Sequence, residues 1–135
     1  MSAVTPPGGG VIIRDAHYPG RAPIDAYGSG GFRFAGMSHR GGILSVPSGI
    51  YGWDVSVAGA FDEAALARVF AEAEAIDILL IGSGAQMVPI QRALRDRFRA
   101  ANIIADAMST GAAVRTFNVI LAEGRAVAAV LVPVD

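Results

Sequence analysis

Apolar and polar positions along the chain fall into two regimes. Up to residue 57 they alternate in short runs broken by glycine and proline; from residue 62 on, helical spacing takes over between compact apolar runs. Phe32-Arg33-Phe34 alternates with period two, and Met37-Ser38-His39-Arg40 extends the pairing. Ile43-Leu44-Ser45-Val46 is a strand set off by Gly41-Gly42 and stopped by Pro47-Ser48-Gly49. Residues 50–57 (I-Y-G-W-D-V-S-V) form a further strand with weak alternation, Val11-Ile12-Ile13 a short edge strand, and 27–31 a glycine-rich loop. The first half is thus expected to be a β-rich hairpin or meander that needs a larger body to pack on.

Residues 62–75 predict the first helix, with Phe61, Leu66, Val69, Phe70 and Ala73 on one face. Asp62 and Glu63 suit the positive end of the helix dipole; Glu72 and Glu74 oppose it at the other end and leave its stop undefined. The run I-D-I-L-L-I-G-S-G over 76–84 reads as the central strand, apolar on both faces and so buried between helices. A second helix follows from Pro89, which fits a first helical turn. Its inward stripe is Ile90, Leu94, Phe98 and Ala101, with Asn102 as a left-handed cap. Then come a strand over 103–107, a helix from Ser109 or Thr110 to Ala122 stopped by Gly124, and a last strand over 125–132. In this helix Val114, Phe117 and Leu121 face inward. The order from residue 77 is β-α-β-α-β, a parallel unit with right-handed crossovers.

Composition narrows the class. The chain has 135 residues, 53% of them hydrophobic, which suits one α/β domain over 11–135 after a Pro- and Gly-rich tail over 1–10. The net charge of −1, from 11 basic and 12 acidic residues, gives no pull toward nucleic acid or an anionic membrane. Every basic residue is arginine, so Schiff-base and Walker-type lysine chemistry is excluded. Cysteine is absent, which excludes disulfides, thiol nucleophiles and cysteine-bound metals. No apolar run approaches the roughly 20 residues that span a bilayer, and the first ten residues lack a signal-peptide pattern. The expectation is a cytoplasmic protein with no integral membrane segment.

Candidate chemistry centres on Gly82, Ser83 and Gly84. The loop opens like G-x-G-x-x-G, and Asp106 ends the next strand where a ribose-binding acid would stand. Met87 occupies the place of the third glycine, however, and only half of a dinucleotide fold is present. Three readings stay open, in falling order: a tight turn that needs glycine, a bound anion or small ligand, and a dinucleotide site. Ser109-Thr110-Gly111 is an ordinary helix cap or an anion-binding helix start. Arg115 and Asn118 share a helix face, which is either solvated or reaches toward the glycine loop. In the ligand reading Arg115 pairs with an anionic group, Asn118 orients it, and the Ser83 and Gly84 N–H groups complete a cradle. His17 and His39 have no partners at metal-ligand spacing, so no metal is expected. Ser83 is not in G-x-S-x-G, and Glu63, Glu72 and Glu74 read as a solvated face. Tyr51 and Trp53 are core residues or an exposed contact patch.

Several segments resemble a widespread family of small proteins of unknown biochemical function, one mitochondrial member of which is an assembly factor for respiratory complex I. The segments are L-L-I-G-S-G-A over 79–85, P-I-Q-R-A-L over 89–94 and M-S-T-G-A-A-V-R-T-F-N-V-I-L-A-E-G-R over 108–125. G-G-F-R-F-A-G over 30–36, G-G-I-L-S-V-P over 41–47 and Trp53 are similar too. Val114 stands where many members have cysteine, and Phe117 where tyrosine is common. The resemblance implies a three-layer α/β fold around a mixed, mostly parallel sheet with extra β-structure packed on it. It implies no established enzyme activity, and no cofactor is expected. It points to a protein-interaction role in assembling a respiratory or other membrane complex, with respiratory or membrane-insertion machinery as partner, and leaves bacterial relatives other partners. Gly82, Gly84, Arg115, Thr116 and Asn118 match the family pattern, which favours a shared pocket between glycine loop and third helix. A homodimer through a strand edge or the Tyr51–Trp53 patch is a further expectation.

Overall fold

The computed structural model describes residues 18–55 and 62–135. The expected tail, the Val11–Ile13 strand, His17, Phe61 and the end of the 50–57 strand lie outside the described residues. The strands are β1 (Tyr18–Pro19), β2 (Ile24–Gly28), β3 (Gly31–Phe34), β4 (Met37–Arg40), β5 (Gly42–Val46), β6 (Gly49–Trp53), β7 (Ile78–Gly82), β8 (Ile104–Met108) and β9 (Val127–Leu131). The α-helices are α1 (Ala67–Ala71), α2 (Arg92–Ala100) and α3 (Thr110–Ala122).

A six-stranded sheet runs β1-β6-β5-β9-β7-β8 and a three-stranded sheet runs β2-β3-β4. β7 pairs in parallel with β8 and β9, as the β-α-β-α-β order requires. The parallel character stops there: β5 pairs antiparallel with β9 and β6, and β6 with β1. The large sheet is therefore mixed, and its antiparallel half comes from the N-terminal hairpin. The meander expected to pack on the sheet divides instead. β5 and β6 enter the large sheet, while β2, β3 and β4 form a separate antiparallel sheet. β9, and not β7, is the strand held between the two halves; β7 is one position from the edge.

Alternation explains the layers. Leu79 and Ile81 of β7, with Ala128 and Val130 of β9, point into one core with Leu94 and Phe98 of α2. Leu80, Val127, Ala129 and Leu131 point into the other, with Ala113, Val114 and Phe117 of α3 and with Ile24, Phe32 and Phe34 of the small sheet. The sheet is thus covered on both sides, which is why β7 and β9 are apolar throughout.

Three local expectations needed revision. The glycine-rich loop expected over 27–31 shrinks to a turn at Ser29-Gly30: Tyr27 and Gly28 end a strand over 24–28 and Gly31 begins the next, because Ala26, Tyr27 and Gly28 pair with Arg33, Phe32 and Gly31. The helix over 62–75 is broken: a 3₁₀ turn at Ala64–Leu66 precedes α1, and another at Ala73–Ala75 follows it. The Glu72 and Glu74 charges at its C-terminal end are consistent with that shortening. α2 starts at Arg92, with extended Gln91 as its cap position, and not at Pro89. Its end is as expected, since Asn102 has a φ of 60°.

Candidate functional site

Ser83 is 3% exposed and organises the turn that carries it. Its N–H donates to the Met108 carbonyl at 2.9 Å, and its hydroxyl accepts from the Val88 N–H at 2.8 Å. The hydroxyl proton has the carbonyls of Gln86 and Met108 within reach, each at 3.0 Å. Gly84, at a φ of 107°, donates its N–H to the Thr110 hydroxyl at 2.9 Å and accepts from the Thr110 N–H at 2.8 Å. The Thr110 hydroxyl in turn donates to the Val132 carbonyl at 2.7 Å. The Ser83 and Gly84 N–H groups, which an anion cradle would use, are therefore both donated within the fold.

Gly82 serves packing. A Cβ there would lie 2.8 Å from Leu131 Cδ2 and 3.0 Å from the Thr110 Cα. The missing side chain lets the start of α3 close on the ends of β7 and β9. The loop then runs from Gly84 to Gln91 before α2 begins, so no helix N-terminus follows the glycines directly. A dinucleotide site needs that helix start beside the loop, and the turn reading accounts for the glycines.

Ser109 caps α3, accepting from the Ala112 N–H at 3.3 Å. Further along α3, the Asn118 amide uses both its oxygen and its nitrogen on one strand residue. It accepts from the Ile24 N–H at 2.9 Å and donates to the Ile24 carbonyl at 2.9 Å. Asn118 thus stands in for a neighbouring strand and fastens β2 to α3. Arg115 is exposed and forms no ion pair among the described residues. It lies by Gly111, whose missing side chain admits the Tyr27 ring from β2; a Cβ there would meet Tyr27 Cζ at 3.1 Å and Arg115 Nη1 at 3.5 Å. The five site residues are therefore dispersed in role: Gly82, Ser83 and Gly84 build the loop, Asn118 joins two layers, and the Arg115 guanidinium has no ion-pair partner among the described residues.

Trp53 is buried and donates from Nε1 to the Ala65 carbonyl at 2.8 Å. Tyr51 is half-buried, bonded to Ser48 Oγ at 2.7 Å and covered by the Arg68 guanidinium at 3.8 Å from its ring centre. These two residues belong to the core and its rim, so they offer no exposed contact patch. His39 contacts the Gly42 carbonyl through Nε2 at 3.1 Å, and burial lowers its pKa from the ordinary histidine value. No cluster of three or more metal-binding side chains occurs among the described residues, and no described helix is long and apolar enough to cross a membrane.

Two features that pattern reading passed over matter here. Thr110 looked like a second capping residue; its burial shows that it locks the loop to the sheet end. Arg33 and Arg40 looked like ordinary strand positions; both line a concave face of about 560 Å³ on the small sheet. The only sequence signal for that face was the polar residue between two phenylalanines in Phe32-Arg33-Phe34.

A three-layer α/β protein with a second small sheet on one face is the class these features define. Residues 24–132 match the family described as "Protein of unknown function (DUF498/DUF598)", and the chain belongs to that family. An uncharacterized Rhodobacter capsulatus protein is 40% identical over 120 residues, covering 89% of this chain and 91% of that one. The mouse NADH dehydrogenase [ubiquinone] 1 alpha subcomplex assembly factor 3 is 24% identical over 123 residues, covering 91% of this chain and 66% of that protein. Its human counterpart is 27% identical over 110 residues, covering 82% of this chain and 60% of that protein. The chain thus spans a little under two thirds of the mammalian proteins. In structure, a Bartonella henselae protein described as an outer membrane protein superposes with a TM-score of 0.84 at 55% identity, over 87% of this chain and 99% of that one.

Proposed function

We propose that this protein is a non-enzymatic interaction factor that assists assembly of a respiratory or other membrane-bound complex. The observation that carries the reading is its kinship with the two mammalian NADH dehydrogenase assembly factors. The site geometry supports it, because Ser83, Gly84, Thr110 and Asn118 spend their polar groups on joining loop, sheet and helix. Deleting the gene in its host should deplete the full-size respiratory NADH dehydrogenase on native gels and leave smaller subassemblies. Affinity capture of the tagged protein should retain one of that complex's subunits. Normal complex levels together with no specific partner would sink the reading.

One observation favours a second reading, a small anionic ligand held by Arg115, with Gly82–Gly84 and Asn118 as structural neighbours and not as its donors: the exposed Arg115 guanidinium beside the Tyr27 ring, which forms no ion pair among the described residues. Arginine presents a fork matched to carboxylate or phosphate. A ligand from a panel of organic acids and nucleotides should then raise the melting temperature. Arg115→Ala should abolish that rise while leaving the unliganded melting temperature in place. No rise with any member of the panel, or a rise that survives Arg115→Ala, rejects this site.

A further inference from the structure

The small sheet presents a face that the assembly reading does not use. β4 is its last strand and pairs only with β3 among the described residues. Alternate N–H and C=O groups of an antiparallel edge strand point away from its partner and remain free to pair. Across the outer face, Ala26, Arg33 and Ser38 stand level on β2, β3 and β4. Arg40 lies two residues beyond Ser38 on the open strand and pairs across to Gly31. The residues lining this concavity of about 560 Å³ include Arg33, Arg40, Ser29 and Ser38, and no Asp or Glu. Arg33 and Arg40 are exposed and take part in no ion pair among the described residues.

We propose that β4 with Arg33 and Arg40 is a docking site for an extended acidic segment of a partner protein, which adds as a fourth strand to the small sheet. This rests on the assembly reading and gives its partner a chemistry. The spacing carries the argument. Side chains two residues apart on one strand face lie about 7 Å apart, and Ser38 and Arg40 have that relation. Acidic residues at alternate positions of an added strand recur at the same interval. One carboxylate meets Arg40 on the neighbouring strand; the next crosses small Ser38 to reach Arg33. Backbone pairing along β4 supplies affinity and the arginines select the charge, as in other cases of strand addition. A free small anion would use the arginines but not the strand edge.

The test is fluorescence anisotropy with a labelled octapeptide of alternating Val and Glu, in low salt. The peptide should bind, and the interaction should weaken as salt rises. R33E/R40E should weaken it by about tenfold or more, the size of one lost charge-assisted pair. The same double variant should take up a Val–Lys octapeptide. A Val–Glu peptide N-methylated at alternate residues keeps its charges but cannot pair as a strand, and it should fail to bind. If R33E/R40E does not fold, R33Q/R40Q serves, with the same expected loss. Absence of binding, binding unchanged in the arginine variants, or equal binding of the N-methylated peptide overturns the proposal. In cells, a partner captured equally by wild type and R33E/R40E rejects this surface and leaves the assembly reading intact. A wild type that captures no partner rejects the assembly reading itself.

Discussion

At the scale of single residues, buried polar atoms decide what this protein can and cannot do. Thr110 makes three hydrogen bonds, two with Gly84 and one with Val132, from a fully buried position. Such atoms are costly to leave unpaired, so they are committed to structure. His39 follows the same logic with a titratable ring. Burial holds its folded pKa below the ordinary value, with the contact to Gly42 opposing in part. Between its folded pKa and about 6.5 the unfolded chain binds more protons than the folded one. Stability is therefore complete above that ordinary value and declines as pH falls through it toward the folded pKa. Urea midpoints measured from pH 7.5 down to pH 5.5 should fall for wild type, and the fall should be shallower in His39→Asn. An equal slope in both would show that His39 is not the group responsible.

At the scale of elements, the joints between layers are specific. α3 is fixed to the large sheet by Val114 and Phe117 and to the small sheet by the Asn118 amide on Ile24. Asn118→Ala leaves the N–H and carbonyl of Ile24 without that partner. The expected loss is about 1–3 kcal/mol in chemical denaturation, with faster hydrogen exchange at the Ile24 amide. Unchanged exchange there would mean that β2 is held by its pairing with β3 alone. α1 shows the opposite case, a short helix flanked by 3₁₀ turns and held by its neighbours. Phe70 stacks on Phe98 of α2 at 5.3 Å, and Arg97 lies over Phe70 while bonding Glu63 at 3.0 Å. Tertiary packing supports a helix too short to persist alone.

At the scale of the molecule, much of the C-terminal architecture was legible in the chain. The apolar runs at 78–81 and 127–131, with periodic segments between them, specify a parallel β-α-β-α-β unit because both faces of each strand must be buried. Ser109, Asn102 and Gly124 mark boundaries by local backbone chemistry that needs no tertiary context: a cap hydroxyl and two residues at positive φ. Resemblance of the 108–125 segment to a known family carried the kinship that the 24–132 match establishes. The division of the N-terminal strands was not legible. Alternation within a strand does not say which edge it joins, so β5 could be assigned to the large sheet only by its pairing with β9, and β6 only by its pairing with β5. The candidate site was legible only as residue types. Whether the Gly84 N–H is free for a ligand depends on Thr110, 26 residues away, and whether Asn118 is free depends on Ile24, 94 residues away. The sequence by itself determined the alternation of elements, the caps and the absence of lysine and cysteine chemistry, because these follow from local side-chain and backbone properties. Tertiary structure alone decided which polar groups are already paired and which arginines share a face, because those depend on contacts between distant segments.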